Sequence, residues 1–418
     1  MAVQFEFKNT PLTVFLEKIE RGKFLWLVKR LSGNDTGLTG GHQVGLYIPA
    51  TFVKVAIPEI CTHARKNPDT RFNVYFPNVD LLRENVRAVY YNGKHIALPG
   101  EKRSTRDEFR ITQWGGRSSP IQNIDNTGSI MLLGLSNRNG FREAVCWVTE
   151  NLQEEKFIEE WLEREVEPGV PPITSNDIPK YSDCWRFPEC WKKQFPTGRE
   201  IFDLVLEQIP HTNHKYTVDK LLLERRKREF ELFSALENLH VFPRVEQGFK
   251  NVEEFIKFAN SVSNRRKSRS GSSLELNLES ILKEEHVQFD SQVFTENKKK
   301  PDFIFPSGEK YHSSAFPDSK LFMLAAKTCC KDRWRQIINE ANRIKTKHLF
   351  TLQEGVSNNQ LQEMTDENVL LVVPEPHKKS FHVDWRSRIL SLQEFIRIVQ
   401  IEQRGISREM NQAHLGIY

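Results

Sequence analysis

Hydrophobic positions follow two different rhythms along this chain. Through the first ~165 residues they come as short, strand-like runs: KFLWLVKRL (23–31), HQVGLYIPATFVKV (42–55), FNVYF (72–76), VRAVYYNG (86–93) and SIMLLGL (129–135). Between them lie turn-rich pieces such as SGNDTGLTGG (32–41) and RNG (138–140), whose glycines and asparagines suit tight connections. That pattern predicts a mostly β barrel or pseudobarrel, closed by one helix over EKFIEEWLERE (155–165). Residues 167–198 then carry six prolines and scattered aromatics, the composition of a partly packed hinge.

From about residue 199 the period lengthens to that of helices. TVDKLLLERRKREFELFSALENL (217–239), NVEEFIKFANSV (251–262) and SSLELNLESILKEE (272–285) place apolar residues at helical spacing, with Leu274, Leu278, Ile281 and Leu282 on one face. Four strand candidates follow, PDFIFP, KLFMLAAK, KHLFTL and NVLLVV. A helix is predicted over KDRWRQIINEANRI (331–344), between the second and third, and a last one over LQEFIRIVQIEQR (392–404). This order predicts a small α/β domain. The expected organisation is therefore 1–166, a hinge at 167–198, and 199–418.

Composition narrows the class. With 38% hydrophobic and 28% charged residues the chain reads as soluble and globular. No run of about 18 apolar residues is present to span a bilayer, and the opening MAVQFEFKNT lacks a signal-peptide layout. A cytoplasmic protein without membrane contacts is expected. Six cysteines with no CxxC suit reduced thiols. His211 and His214 in HTNH stand at a ligand-like spacing, but no further ligand is near in sequence. The net charge of +5 is mild. Its distribution says more, because RRKR (225–228), NRRKSR (264–269) and KKK (298–300) cluster within one region. Single runs are usually solvated helix faces, whereas three together suggest a polyanionic partner.

Candidate chemistry sits at the first and second of these strands. Asp302 opens one strand and Lys327 closes the next, so neighbouring strands would bring a carboxylate and an ammonium to one end of the sheet. A carboxylate able to hold a divalent cation, beside a lysine that orients or deprotonates water, is what phosphodiester hydrolysis needs. Magnesium takes one or two carboxylates and completes its shell with water and phosphate oxygens. This is the layout of PD-(D/E)xK nucleases, in which a second acid lies two residues before the lysine on the same strand face. Here that position is Ala325. A replacement is available in Glu340, which lies off the apolar stripe Trp334, Ile337, Ile338, Ala341 and Ile344. Glu275 is a further candidate. At the start of the same predicted helix, Lys331, Asp332 and Arg333 can read C·G pairs, since Lys and Arg donate to guanine and Asp accepts from cytosine N4.

The stretches NKKKPDFIFPS, LAAKTCCKDRWRQIINEANRI, KHLFTLQEGVS and ANSVSNRRKSRSGSSLELNLE closely resemble the C-terminal domain of EcoRII-type restriction endonucleases. VKRLSGNDTGLTGGHQVGLYIP, YYNGKHI, RITQWG and DNTGS resemble the N-terminal half of the same family. The resemblance covers most of the chain apart from the hinge and the extreme ends. It implies a relocated nuclease motif of Asp302, Lys327 and Glu340 with Mg2+ held by Asp302 and Glu340, Glu275 and Tyr311 being further active-site positions. It implies base reading by Lys331, Asp332 and Arg333, and a flipped central base held by Arg225 and Phe230. Arg265 and Arg266, from the second basic run, are further DNA-binding candidates.

In the N-terminal half the loops carrying Lys29, Asn34, Asp35, Thr36 and His42, then Arg106, Glu108, Arg110 and Trp114, need no ligand as turn chemistry alone. The resemblance instead implies a plant-transcription-factor-type pseudobarrel that grips a second, effector copy of the site between two arms and blocks the nuclease clefts; Gln113 lies within the second arm. The resulting expectation is a type II, type IIE, endonuclease of the bacterial cytoplasm. It would act as a homodimer on a CC(N)GG-type palindrome in duplex DNA, alongside a cognate DNA methyltransferase. The rival readings are a non-cleaving DNA-binding regulator and a zinc nuclease built on HTNH.

Overall fold

In the computed structural model the chain divides into two compact units. One is Met1–Ile178 with the short segments Glu354–Asn359 and Lys379–Val383; the other comprises Pro179–Gln353, Gln360–Lys378 and Asp384–Tyr418. The structure describes residues 2–8, 10–21, 24–40, 45–97, 102–138, 141–162, 165–169, 172–175, 187–211 and 216–414. His42, His214 and much of the expected hinge lie outside them.

The first unit is built on an eight-stranded sheet. Its strands are β1 (Leu25–Arg30), β2 (Leu46–Ile48), β3 (Asp69–Phe76), β4 (Leu81–Tyr91), β5 (Glu108–Thr112), β6 (Ile130–Arg138), β7 (Phe141–Val148) and β8 (Ile173–Thr174), in the order β2-β5-β4-β3-β7-β6-β1-β8. Every pairing is antiparallel except β3 with β7. Alternation along each strand feeds two separate cores. Leu27, Leu133 and Cys146 join one apolar cluster with Phe52, Phe76 and Trp114; their neighbours Val28, Leu132 and Val145 join another with Phe7, Phe15 and Ile158. The second cluster is covered partly by the helix Leu152–Trp161, whose first turn is capped by the Asn151 side chain. Arg30 ties that helix to the sheet, pairing with Glu155 at 2.9 Å and Glu159 at 3.1 Å. The long strand expected over 42–55 is shorter than foreseen. Pro49, with no N–H to donate, ends β2, and Ala50–Ala56 turns helical.

The second unit packs long helices on a six-stranded mixed sheet. Its strands are β9 (Asp290–Ser291), β10 (Phe303–Phe305), β11 (Phe322–Lys327), β12 (Lys347–Thr351), β13 (Val369–Val373) and β14 (Leu390–Ser391), in the order β14-β13-β12-β11-β10-β9. β9, β10 and β11 pair antiparallel, and β11 to β14 run parallel. A helix at Asn358–Asp366, not foreseen from the pattern, makes the crossover that parallel β12 and β13 require. The helices expected at 251–262 and 272–285 are one continuous helix, Val252–Glu284, lying beside Val218–Gln247. Two basic runs are absorbed by this pair. Arg225 makes a two-pronged ion pair with Glu284 at 2.9 and 3.0 Å, Arg226 reaches Ser273, Arg266 pairs with Glu237 at 2.8 Å, and Arg269 stacks over Phe230 and Phe233. Clustered charge here welds helices together as much as it faces outward.

Candidate active site

One face of β10 and β11 belongs to the core, through Phe303, Phe305, Leu324 and Ala326, together with Leu274, Leu278, Ile281 and Leu282 of the long helix. Period-2 alternation therefore turns Asp302, Ala325 and Lys327 to the opposite face. Phe303 pairs with Leu324 in an antiparallel register, so the start of β10 abuts the end of β11. Lys327 Nζ lies 3.3 Å from Asp302 Oδ2. That same oxygen accepts the Ala326 N–H at 2.7 Å, and Gln292 donates to Oδ1 at 3.3 Å. The Asp302 carboxylate is thus held on both oxygens while only 7% of the residue is exposed.

Glu275 and Glu340 complete the cluster electrostatically. Burial raises the Glu275 carboxyl above its ordinary range; the Asp302 charge adds to the rise and Lys327 opposes it. Burial likewise raises Glu340, with Lys327 opposing and Asp302 adding. Glu275 and Glu340 thus feel both Asp302 and Lys327, with Lys299 and Lys347 also opposing the rise at Glu340, and the two acids hold protons more tightly than water-exposed acids do. A hard divalent cation taking oxygen ligands would relieve the like-charge crowding, so carboxylate donors of this kind suit magnesium or manganese. Among the described residues no three His, Cys, Asp or Glu side chains are already gathered closely enough to enclose a metal by themselves. His211 pairs with Glu285 at 2.8 Å, and its expected companion His214 lies outside the described residues.

The segment carrying Glu340 differs from expectation. In place of an α-helix over 331–344, a short 3-10 run, Asp332–Ile337, is followed by turns. The apolar stripe is nonetheless buried at Trp334, Ile337, Ala341 and Ile344, while Ile338 is half-buried. The stripe measured burial correctly but not backbone form, because Ala341 sits at a left-handed φ of 48° that no α-helix permits. Tyr311 is buried, and its hydroxyl donates to both oxygens of Glu296, at 2.7 and 2.6 Å. Burial and that carboxylate push its phenol well above the usual range.

Of the base-reading candidates, Lys331 is buried, Arg333 is half-buried, and the Asp332 side chain lies outside the described set. The segment is pinned by Gln353, whose side-chain oxygen accepts the N–H groups of Cys330 and Lys331, both at 3.1 Å. Arg225 is fully buried in its pair with Glu284, which corrects its assignment to a flipped base: that guanidinium is committed to the fold. Phe230 is half-buried under Arg269, and Arg265 stacks over Phe195 at 4.5 Å.

In the first unit Trp114 requires a like correction. It is 0% exposed in the core, its indole N–H donating to the Ile111 carbonyl at 2.9 Å, so it cannot meet DNA. Asp35 and Thr36 are buried too: Asp35 closes a capping box with Ser32 and pairs with Lys29 at 2.6 Å, and Thr36 bonds Thr127 at 2.8 Å. They shape the loop that presents half-buried Asn34. Glu108 and Arg110 pair at 3.0 Å, Arg106 lies over Tyr91 at 5.4 Å, and exposed Gln113 accepts from Arg71.

Two family models match the chain: "Restriction endonuclease EcoRII, N-terminal" over residues 21–177 and "EcoRII C terminal" over residues 233–396. The type II restriction enzyme EcoRII of Escherichia coli is 41% identical over 384 residues, 88% of this chain and 92% of that one. The chain belongs to the EcoRII family of type II restriction enzymes. The type II restriction enzyme SsoII of Shigella sonnei is 23% identical over 219 residues, 50% of this chain and 64% of that protein. Among solved structures, metal-depleted Ecl18kI in complex with uncleaved, modified DNA matches with a TM-score of 0.43 and 19% identity, over 51% of this chain and 80% of that one. As an EcoRII-family member the chain is a type II site-specific deoxyribonuclease. No described helix is long and apolar enough to cross a membrane.

Proposed function

We propose that the cluster of Asp302, Lys327, Glu340 and Glu275 is the hydrolytic centre, and that it cuts duplex DNA at a CC(N)GG-type palindrome with Mg2+, one centre per protomer of a homodimer. The observation that carries this reading is the 3.3 Å contact between Lys327 and Asp302 at the ends of adjacent strands, with two raised carboxyls in their field. Lys327 Nζ would donate to a non-bridging oxygen of the scissile phosphate and hold the attacking water in line. Asp302 and Glu340 would hold the cation, which when bound supplies charge neutralisation at the phosphate and acidifies water. Glu275 would accept a proton from that water, its raised affinity suiting the role. Tyr311 contributes through Glu296 rather than at the phosphate.

Lys331, Asp332 and Arg333 would read the outer C·G pairs, on the loop that Gln353 pins. Arg333→Ala is expected to cost about 1–3 kcal/mol of discrimination at one outer base pair. Binding measured on a set of single-substituted duplexes checks this; equal weakening on all of them would make Arg333 a phosphate contact.

The first unit, with its own cores and its exposed or half-buried Lys29, Asn34, Arg106, Glu108 and Arg110, would be a pseudobarrel that binds an effector copy of the site and restrains the nuclease, as type IIE action requires. Digestion of one-site and multi-site plasmids with Mg2+, followed by end sequencing, tests both halves of the reading. The full chain is expected to cut one-site DNA slowly and to respond to added site-bearing duplex. A protein lacking the first ~178 residues is expected to cut it faster. Since effector binding must reverse the restraint, it can be worth only a few kcal/mol. Equal rates from a folded, dimeric truncation would leave the first unit as a DNA anchor alone, and no cleavage by either protein would favour a non-cleaving regulator.

A further inference from the structure

Glu340 projects from a turn whose backbone is unusual. Its N–H donates to the Ile337 carbonyl at 3.0 Å, and the next residue, Ala341, is fully buried at a φ of 48°. Residues with a β-carbon avoid that left-handed region unless their surroundings impose it. What imposes it here is visible on both sides of the turn.

Beneath it lies Lys347, the first residue of β12 and only 5% exposed. Its ammonium donates to the Ala341 carbonyl at 2.6 Å and the Ile344 carbonyl at 2.5 Å, while the Ile344 N–H closes back on the Ala341 carbonyl at 2.9 Å. On the other side, the Asn342 N–H donates to Glu296 Oε2 at 3.1 Å, and that carboxylate is itself fixed by the Tyr311 hydroxyl. Arg343 completes the hold, donating to the carbonyls of Tyr311, Ser313 and Phe316. The carboxylate that replaces the missing strand acid is thus carried by a clamped turn, and the turn is anchored to a strand paired directly with β11.

We propose that Lys347 is a positioning residue for the metal-holding carboxylate. Its ammonium, working through the carbonyls of Ala341 and Ile344, holds the left-handed turn that aims Glu340 toward Asp302 and Lys327, with Glu296 as the opposing jaw. The proposal rests on the reading of Glu340 given above. It explains why so costly a group as a lysine is buried at the start of a central strand, where an apolar residue would pack as well: only a multivalent donor satisfies both turn carbonyls.

The test compares the full-length variants Lys347→Met, Lys347→Arg, Glu296→Gln and Glu340→Ala, with Ala341→Gly added to the first. The readouts are Mn2+ binding to the DNA-bound protein by calorimetry, affinity for the site-bearing duplex without metal, and the metal concentration that half-saturates cleavage. Lys347→Met is expected to weaken Mn2+ binding about 10–100-fold and to raise the half-saturating concentration in step, the scale on which supporting shells act. Metal-free DNA affinity should stay close to wild type. Lys347→Arg, which keeps a multivalent donor, should restore part of the loss. Ala341→Gly should do so as well, because glycine adopts the left-handed turn without a clamp. If Lys347→Met does not fold, Lys347→Arg and Glu296→Gln carry the test, each expected to weaken Mn2+ binding by less than that. Unchanged Mn2+ binding in every folded variant except Glu340→Ala overturns the positioning role and leaves the Glu340 reading standing. Unchanged binding in Glu340→Ala itself overturns that reading first.

Discussion

A Lys327→Ala enzyme is expected to bind site-bearing duplex and fail to cut it, with cleavage down by at least about 10²–10³-fold. The side chain emerges at the end of β11 with a quarter of its surface exposed, and its ammonium is committed to Asp302. As the phosphate ligand proposed above it would touch no base edge, so discrimination between sequences should survive. Removing the cation also takes away a charge that opposes proton uptake at Glu275 and Glu340, both already raised by burial. Their carboxyls should then rise further. Any residual activity should therefore fall away at a higher pH than in the wild type, because the protonated acids neither hold a cation nor accept a proton. Lys327→Arg should not rescue, since a planar guanidinium cannot take the place of a compact ammonium in a half-buried slot. Single-turnover cleavage and metal-free gel shifts on one duplex separate the two effects. More than a few percent of wild-type cleavage would remove Lys327 from the chemistry, and a parallel loss of binding would make it a DNA anchor.

Strand chemistry was the legible part of this site. Asp302 and Lys327 lie on alternating runs whose register depends only on a period of two, so their meeting could be read from the chain before any coordinates. The partners of Asp302 were less accessible: Gln292 reaches it from a residue at φ 55°, in a loop without periodicity. The turn after Ile337 misled for a specific reason. Its apolar spacing is helical and its burial follows that spacing, yet Ala341 breaks the helix through contacts with Lys347, which is remote from any helical pattern. The basic runs were legible only in part. Together they pointed to a polyanionic partner, which membership of a restriction-enzyme family supports, yet Arg225, Arg226 and Arg266 find acidic or hydroxyl partners on the neighbouring helix. Trp114 shows the same blindness in reverse, a residue beside DNA-arm candidates whose indole is consumed by the core. Local composition reports that a charge or ring exists. Only the packing tells whether it is spent inside.

Glu340→Ala is the sharper test, because it addresses the departure at Ala325 directly. In the usual arrangement two acids on neighbouring strands flank the lysine; here β11 offers a fully buried methyl group, and Glu275 and Glu340 are carboxyls that feel both Asp302 and Lys327. If Glu340 is the relocated acid, its loss leaves Asp302 as the sole carboxylate holder, with more of the Mg2+ shell left to water and phosphate and the affinity correspondingly lower. The variant is then expected to be inactive in Mg2+. With Mn2+, which binds most oxygen and nitrogen sites more tightly, it should regain some cleavage. Removing a raised, half-buried carboxyl also relieves like-charge crowding, so the folded protein should lose no stability on the alkaline side and its melting temperature should hold or rise there. The sign follows from linkage. A carboxyl whose folded affinity for protons exceeds its unfolded one favours the fold at low pH and disfavours it as pH rises through the folded value, and the alanine variant lacks that term. Cleavage titrated against Mg2+ and Mn2+, with melting measured across pH, reads both consequences. A metal curve superimposed on that of the wild type would shift the role to Glu275, and a stability loss growing with pH would mean that Glu340 is held by a cation the structure pairs with it more strongly than with the metal site.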